Sequence, residues 1–123
     1  MIPALVFVAS TGAASAQDVT AGERLFRTCS PCHSVGEGAT NKLAPALNGL
    51  DGRRAGTVEG YEYSEALKSS GITWNEASFK EYVQNPTAKV PGTKMIAAGP
   101  RNDKAIADLC AYLKQFGPDG KVK

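Results

Sequence analysis

One five-residue run, Cys29-Ser30-Pro31-Cys32-His33, constrains this chain more than any other feature. It holds two thiols three residues apart and, immediately after them, the chain's only histidine. One further cysteine, Cys110, completes the set of soft ligands, too few for a multi-disulfide scaffold or a Cys-rich zinc cage. Whatever these residues do, they do locally. The run has the Cys-x-x-Cys-His form that attaches a c-type haem. Each thiol forms a thioether to one vinyl group, and the next residue delivers an imidazole to the iron. The expected cofactor is therefore one haem c, covalent through Cys29 and Cys32, with His33 as an iron ligand. Three other readings use the same residues. A thioredoxin-like dithiol wants the motif after a strand, within a βαβ pattern. A zinc site of Cys29, Cys32, His33 and Cys110 would have to fit adjacent Cys32 and His33 into one tetrahedron. A structural disulfide between Cys29 and Cys32 would leave His33 without a role.

The 123 residues, net charge of +2, 42% hydrophobic and 7% aromatic content describe one small globular domain. A two-domain enzyme is excluded, and interspersed charges without basic runs exclude nucleic acid as the default partner. Residues 1–16 carry no charge, open on the apolar run Ile2 to Ala9 and close on Ala14-Ser15-Ala16. This reads as a secretory signal cleaved after Ala16, too short in its apolar part to span a bilayer. The signal lacks the usual basic start, so the expected true start lies a few codons upstream. The expected organisation is a signal at 1–16, a single domain at 17–123, and export to a bacterial periplasm.

The remaining pattern predicts four helices and no strand. The first starts at a cap on Asp18 or Thr20, with Thr20-x-x-Glu23 in capping-box form, and carries Leu25, Phe26 and Cys29. Ser64 opens a short second helix stopped by Gly71. A Thr73 to Glu76 capping box opens a third, through Phe79, Tyr82 and Val83, which Pro86 ends. The last is capped by Asn102 or Asp103 and aligns Ile106, Leu109, Cys110, Leu113 and Phe116 before Gly117-Pro118. Long Gly- and Pro-rich segments lie between, at 34–60 and 86–101. Loops of such length need a purpose, and wrapping a large prosthetic group is one.

With a haem bound, His33 being the only histidine, a bis-histidine site is impossible. Met95 is the one methionine outside the signal, in Val90-Pro91-Gly92-Thr93-Lys94-Met95, and becomes the expected second axial ligand. Core filling is the competing role for a methionine. A thioether ligand would favour the ferrous state and raise the potential.

From Gly22-x-x-x-Phe26 through Cys29 to His33, Leu43 to Leu50, Gly52-Arg53, Gly60-Tyr61-x-Tyr63-Ser64, Gly71 to Trp74, Tyr82 with Asn85-Pro86, Val90 to Met95 and Asp108 to Leu113, the chain resembles the class I c-type cytochromes. Within them it is similar to the mitochondrial type and its bacterial relatives, the photosynthetic cytochromes called c-two. The resemblance implies an all-α small cytochrome c fold, about four helices and long loops around one haem. It implies that His33 donates to the Pro45 carbonyl, that Arg53, Tyr63 and Trp74 surround a buried propionate, and that Tyr82 and Thr93 hydrogen-bond around the methionine sulfur. Gly22 with Phe26 and Leu109 with Tyr112 would let the first and last helices cross closely.

Three departures stand out. Ala97 replaces the usual Phe, which should leave one haem face less shielded. Leu67 replaces an Asn, which should reduce the internal water. Thr28, Thr87, Ala88 and Asn102 stand where lysines often ring the haem edge, while Lys42, Lys94 and Arg101 stay basic, so the steering field should be thinner. Cys110 is expected to be a buried small hydrophobe. The implied function is that of a monomeric, non-enzymatic one-electron carrier. Its partners would be transient membrane-bound or periplasmic redox proteins: a bc-type reductase, a terminal oxidase or a reaction centre. The rivals are a haem peroxidase or gas sensor with a labile Met95, and a colourless thiol oxidoreductase using Cys29 and Cys32.

Overall fold

The computed structural model describes Ala4, residues 18–95 and residues 99–123. The expected cleavage after Ala16 and the position of Ala97 lie outside the described residues. Among the described residues five helices follow in order: α1 Val19–Phe26, α2 Glu65–Lys68, α3 Glu76–Gln84, α4 Pro86–Lys89 and α5 Asp103–Lys114. Among the described residues there is no strand, only isolated bridges between Arg54 and Thr73 and between Phe116 and Val122. The all-α expectation holds, with one helix more than the four read from the pattern. Pro86 ends α3 as expected, because it has no N–H to continue the ladder. The same ring presets φ and needs no N–H at a first helical position, so Pro86 also opens α4. Asn85 serves both, closing α3 and accepting from the Ala88 N–H to start α4.

The capping residues refine the expected starts. Asp18, not Thr20, caps α1, accepting from the Ala21 N–H, so Thr20 lies inside the helix. Ser64 caps α2 and Asn102 caps α5. The α3 box is formed by Asn75 and Ser78, each side chain taking up the other's backbone N–H, in place of the Thr73 to Glu76 pair. A box needs an extended cap residue whose oxygen reaches the third helical N–H, and Asn75 has that backbone.

The core forms where α1 crosses α5. Gly22 makes the crossing possible: a Cβ there would sit 2.0 Å from the Asp108 carbonyl oxygen and 2.8 Å from the Tyr112 Cβ. The Phe26 and Tyr112 rings meet beside it at 5.7 Å. Ile106, Leu109 and Leu113 face inward on α5 and are almost fully buried. Each such side chain contributes about 1.5–3 kcal/mol by leaving water. Phe79, Tyr82 and Val83 of α3 and Trp74 before it join the same cluster. Cys110 lies within it at 5% exposure, as expected of a small hydrophobe, and burial pushes its thiol up to about 11. Residues 27–63 run in turns and loops, and residues 42–47 return to bond Ser30, Cys32 and Ser34.

Candidate haem site

The Cys-x-x-Cys-His run leaves α1 as a continuing set of turns. The Cys29 N–H donates to the Phe26 carbonyl at 2.8 Å, and the His33 N–H donates to the Cys29 carbonyl at 2.9 Å. One turn of chain therefore presents both thiols and the imidazole, with Cys29 half-buried against the core and Cys32 exposed. No disulfide joins them, which leaves both sulfurs available for thioether bonds. A helix, not a strand, leads into the motif, contrary to the dithiol pattern. Among the described residues no three His, Cys, Asp or Glu side chains gather as a metal site, and Cys110 is buried against Leu50, Trp74 and Phe79, so the four-ligand zinc reading has no assembled site.

His33 is held by the loop that follows it. Its Nδ1 lies 2.8 Å from the Pro45 carbonyl oxygen, which can only accept, so Nδ1 carries the proton and Nε2 keeps its lone pair. Burial holds the imidazole below its ordinary value, opposed by the Pro45 bond and reinforced by nearby Arg53. A neutral, oriented imidazole with a free Nε2 is the form that ligates a metal.

Arg53 is half-buried. Its Nη1 donates to the Ala46 and Asn48 carbonyls at 3.2 and 2.9 Å. Its Nε is buried and, among the described residues, has no partner. Such a donor costs free energy unless an acceptor meets it, and a carboxylate suits a guanidinium best. The Tyr63 hydroxyl accepts the Val58 N–H at 3.0 Å, which leaves its own proton to donate. Burial raises Tyr63 and lowers Arg53. A haem propionate fits the free Nε and the Tyr63 proton, and the donor set of Cys29, Cys32 and His33 fits the ring and its iron. Trp74 is tied to Arg53 through the backbone, its N–H donating to the Arg53 carbonyl at 2.8 Å, and its ring packs 5.1 Å from that of Tyr82.

Met95 is half-buried and packs against the same apolar cluster as Cys29. The buried Tyr82 hydroxyl and Thr93 Oγ1 share a 2.6 Å hydrogen bond, and the Met95 N–H donates to Thr93 Oγ1 at 3.4 Å. Leu67 also packs against the cluster, consistent with its apolar replacement of an Asn.

Three residues that the sequence reading missed hold the site together. Asn41 accepts the Ala46 N–H at 2.9 Å and donates to the Glu59 carbonyl at 3.1 Å. Asn48 pairs both ways with the Gly36 backbone, at 2.8 and 2.9 Å. Tyr61 donates to the Leu43 carbonyl at 2.9 Å. These residues act through the fold: Asn48 and Tyr61 lie in segments that carry the resemblance, but no local pattern shows what they bond to.

The chain is similar to known proteins over most of its length. The family profile for cytochrome c matches residues 19–117. A cytochrome c2 of Rhodoplanes tepidamans is 63% identical over 107 residues, covering 87% of this chain and 100% of that protein. Cytochrome c-550 of Nitrobacter winogradskyi is 58% identical over 106 residues, covering 86% and 97%. Among solved structures, cytochrome cH from Methylobacterium extorquens superposes with a TM-score of 0.74 at 42% identity, covering 80% of this chain and 98% of that one.

Proposed function

Because the chain belongs to the cytochrome c family, in its c2 type, and carries electrons with one haem c at Cys29 and Cys32, we propose that His33 and Met95 are its axial ligands. We further propose that it is secreted by cleavage after Ala16 and works in a periplasm between membrane-bound or periplasmic redox complexes of respiration or photosynthesis.

The reading rests above all on the 2.8 Å contact from His33 Nδ1 to the Pro45 carbonyl, which fixes the tautomer and leaves Nε2 for the iron. A c-type haem, when bound, supplies one reversible electron step between ferric and ferrous iron. The chain's part is to keep that step free of rearrangement. Cys29 and Cys32 tether, while His33 holds its angle against Pro45. Thr93 and Tyr82 fix the backbone that presents the Met95 sulfur. Arg53 and Tyr63 offer a guanidinium N–H and a phenol O–H to a propionate in a poorly solvated place. With His33 and Met95 both holding the iron, no position would remain open for a substrate, which favours a carrier over an enzyme.

The partner contact is proposed around exposed Cys32. Leu43, 81% exposed, stands beside it, because the next residue's N–H donates to the Cys32 carbonyl. Lys42 is pinned there by its ammonium, which donates to the Ser30 carbonyl at 3.1 Å. Lys94 donates to the Glu62 carbonyl, and Arg101 is exposed. An apolar point with a few fixed cations suits a small, transient contact with an acidic-rimmed redox protein.

The test is the visible spectrum of the haem-matured protein, oxidised and reduced, with and without carbon monoxide. The expected result is a c-type spectrum with a weak far-red sulfur-to-iron band and no change on adding carbon monoxide. A haem spectrum that lacks the band and shifts readily with carbon monoxide would move the reading to a peroxidase or gas sensor. No haem absorption would end both.

A further inference from the structure

After α5 the chain does not trail away. It doubles back as a short hairpin over residues 116–123. The Gly117 N–H donates to the Lys121 carbonyl at 2.9 Å, the Gly120 N–H to the Gly117 carbonyl at 2.9 Å, and the Lys123 N–H to the Gln115 carbonyl at 2.8 Å. The Asp119 carboxylate takes the Lys121 N–H at 2.9 Å and closes the tip. Most of the hairpin's side chains are exposed, yet Gly117 and Gly120 are buried. The core of the α1 and α5 crossing does not explain that burial.

The hairpin's contacts explain it. A Cβ on Gly120 would lie 2.2 Å from the Gly36 carbonyl oxygen and 2.7 Å from the Glu37 nitrogen, so two backbones touch there. The Gly49 N–H donates to the Phe116 carbonyl at 3.1 Å, and a Cβ on Gly49 would lie 3.0 Å from the Pro118 ring. Gly36 and Gly49 are the two ends of one loop. Asn48 ties itself to both the N–H and the carbonyl of Gly36, and the Leu47 N–H donates to the Ser34 carbonyl at 2.9 Å. That loop leaves His33 and returns through Pro45, whose carbonyl orients the imidazole.

We infer that the hairpin of residues 116–123 is a positioning element for His33. It braces the base of the 34–48 loop and so fixes the Pro45 carbonyl against Nδ1. The inference rests on the reading of His33 as an iron ligand and deepens it. A loosened base lets Pro45 move away from Nδ1. The imidazole then loses the bond that raises its basicity, donates less to iron, and stabilises the ferric state less. The potential should therefore rise.

The experiment compares Gly120→Ala with Gly71→Ala in the haem-loaded protein. Both glycines have left-handed backbones, at φ +81° and +71°. A Cβ on Gly71 meets nothing within 4 Å, so that variant carries the backbone strain without the contact. Amide exchange at Leu47 and the reduction potential are the readouts. In Gly120→Ala the Leu47 amide should exchange about tenfold faster, the scale of one lost hydrogen bond, and the potential should move upward. In Gly71→Ala neither should move. Unchanged Leu47 exchange and potential in Gly120→Ala, or equal changes in both variants, would overturn the inference. Should Gly120→Ala not fold, Asp119→Ala decides. It opens only the exposed tip and should move both readouts in the same direction by less, whereas no movement counts against the hairpin. The two readings fail separately. An unligated His33 shows in the wild-type spectrum, while an inert hairpin shows as unchanged Leu47 exchange in a protein whose spectrum is normal.

Discussion

The His33 side and the Met95 side of the site are built to different standards. On the His33 side the chain is bonded at nearly every step: Cys29 to His33, Cys32 to Ala44, Ser34 to Leu47, Gly36 to Asn48, and His33 itself to Pro45. Asn41 and Tyr61 add links outward to the 54–63 segment. Among the described residues the Met95 side has fewer ties, though the Lys94 ammonium links it to the Glu62 carbonyl at 2.9 Å. The Thr93 N–H donates to the Val90 carbonyl at 3.0 Å, Thr93 and Tyr82 share their hydroxyl bond, and the tie to the Met95 N–H is long at 3.4 Å. The nearest described anchor beyond Met95 is the Gly99 N–H to the Val83 carbonyl at 2.8 Å. The lesson is one of division of labour. On the proposed ligation, the tether lies where the geometry must not change, and the more lightly held Met95 would have only to bring its sulfur to the iron.

Removing what both sides share should have the largest effect. Each side presents half-buried apolar groups, such as Cys29, Val35, Leu47, Leu67 and Met95, that a haem would cover. A chain this short supports only a marginal core without added apolar surface. The double variant Cys29→Ala/Cys32→Ala, produced without attached haem, should lose most of its helical circular dichroism. A cooperative thermal transition with native-like signal in that variant would show that the two sides stand without haem.

The next effect separates the sides. Met95→Ala should abolish the far-red band, let carbon monoxide bind, and lower the potential on the order of a few hundred mV, within the roughly 0.8 V that axial ligation commands. Leu47 exchange should stay at its wild-type rate, because nothing on the His33 side bonds to the Met95 loop among the described residues. Faster exchange at Leu47 would mean that the sides are coupled and the comparison is wrong.

Tyr82→Phe sharpens the comparison from the Met95 side alone. It deletes the 2.6 Å bond to the buried Thr93 hydroxyl and should cost about 1 kcal/mol in a denaturant titration. It should also make carbon monoxide binding detectable, though weaker than in Met95→Ala. Burial raises the Tyr82 hydroxyl above its ordinary value, opposed by the Thr93 bond, so in the wild type it stays protonated at neutral pH.

Much of this division was legible in the sequence because it rests on short-range chemistry. The spacing from Cys29 to His33, the Ser64 and Asn102 caps and the inward stripe of α5 are patterns within a turn or two, where local sterics decide the outcome. The family resemblance added Pro45, Arg53, Tyr63, Trp74, Tyr82 and Thr93 as expected haem-site residues. What stayed hidden depends on what meets what across the fold. Asn41 and Asn48 look like ordinary loop residues until the folded chain brings Ala46 with Glu59, and Gly36, to their amides. Gly120 reads as a turn glycine, and its contact with Gly36 has no signal within 80 residues of chain. Pro86 was legible as a stop but also acts as a start, since the same fixed φ serves both.

The smallest effect belongs to a group that touches neither side and so serves as the control. Asp108 lies just beneath the surface where α1 meets α5. Its side chain is almost fully buried. The Asp18 backbone N–H donates to it at 2.8 Å and the Lys104 ammonium at 3.0 Å, and these hold it below its ordinary value of 3.8, with burial opposing. A carboxyl depressed in the folded state binds its proton first in the unfolded chain. Its contribution to stability is therefore complete above the ordinary carboxylate range and drains away as pH falls from there through the folded value. Asp108→Asn can still accept from Asp18 but loses the charge facing Lys104, so the cost at pH 7 should be about 0.5 kcal/mol, the scale of an i,i+4 pair with its lysine in water. Denaturant titrations at pH 7 and pH 3 should show the two proteins converging as the pH drops, with far-red band and carbon monoxide response unchanged throughout. A gap that widened toward acid would put the carboxyl's folded value above its unfolded one and reverse the sign of this contribution.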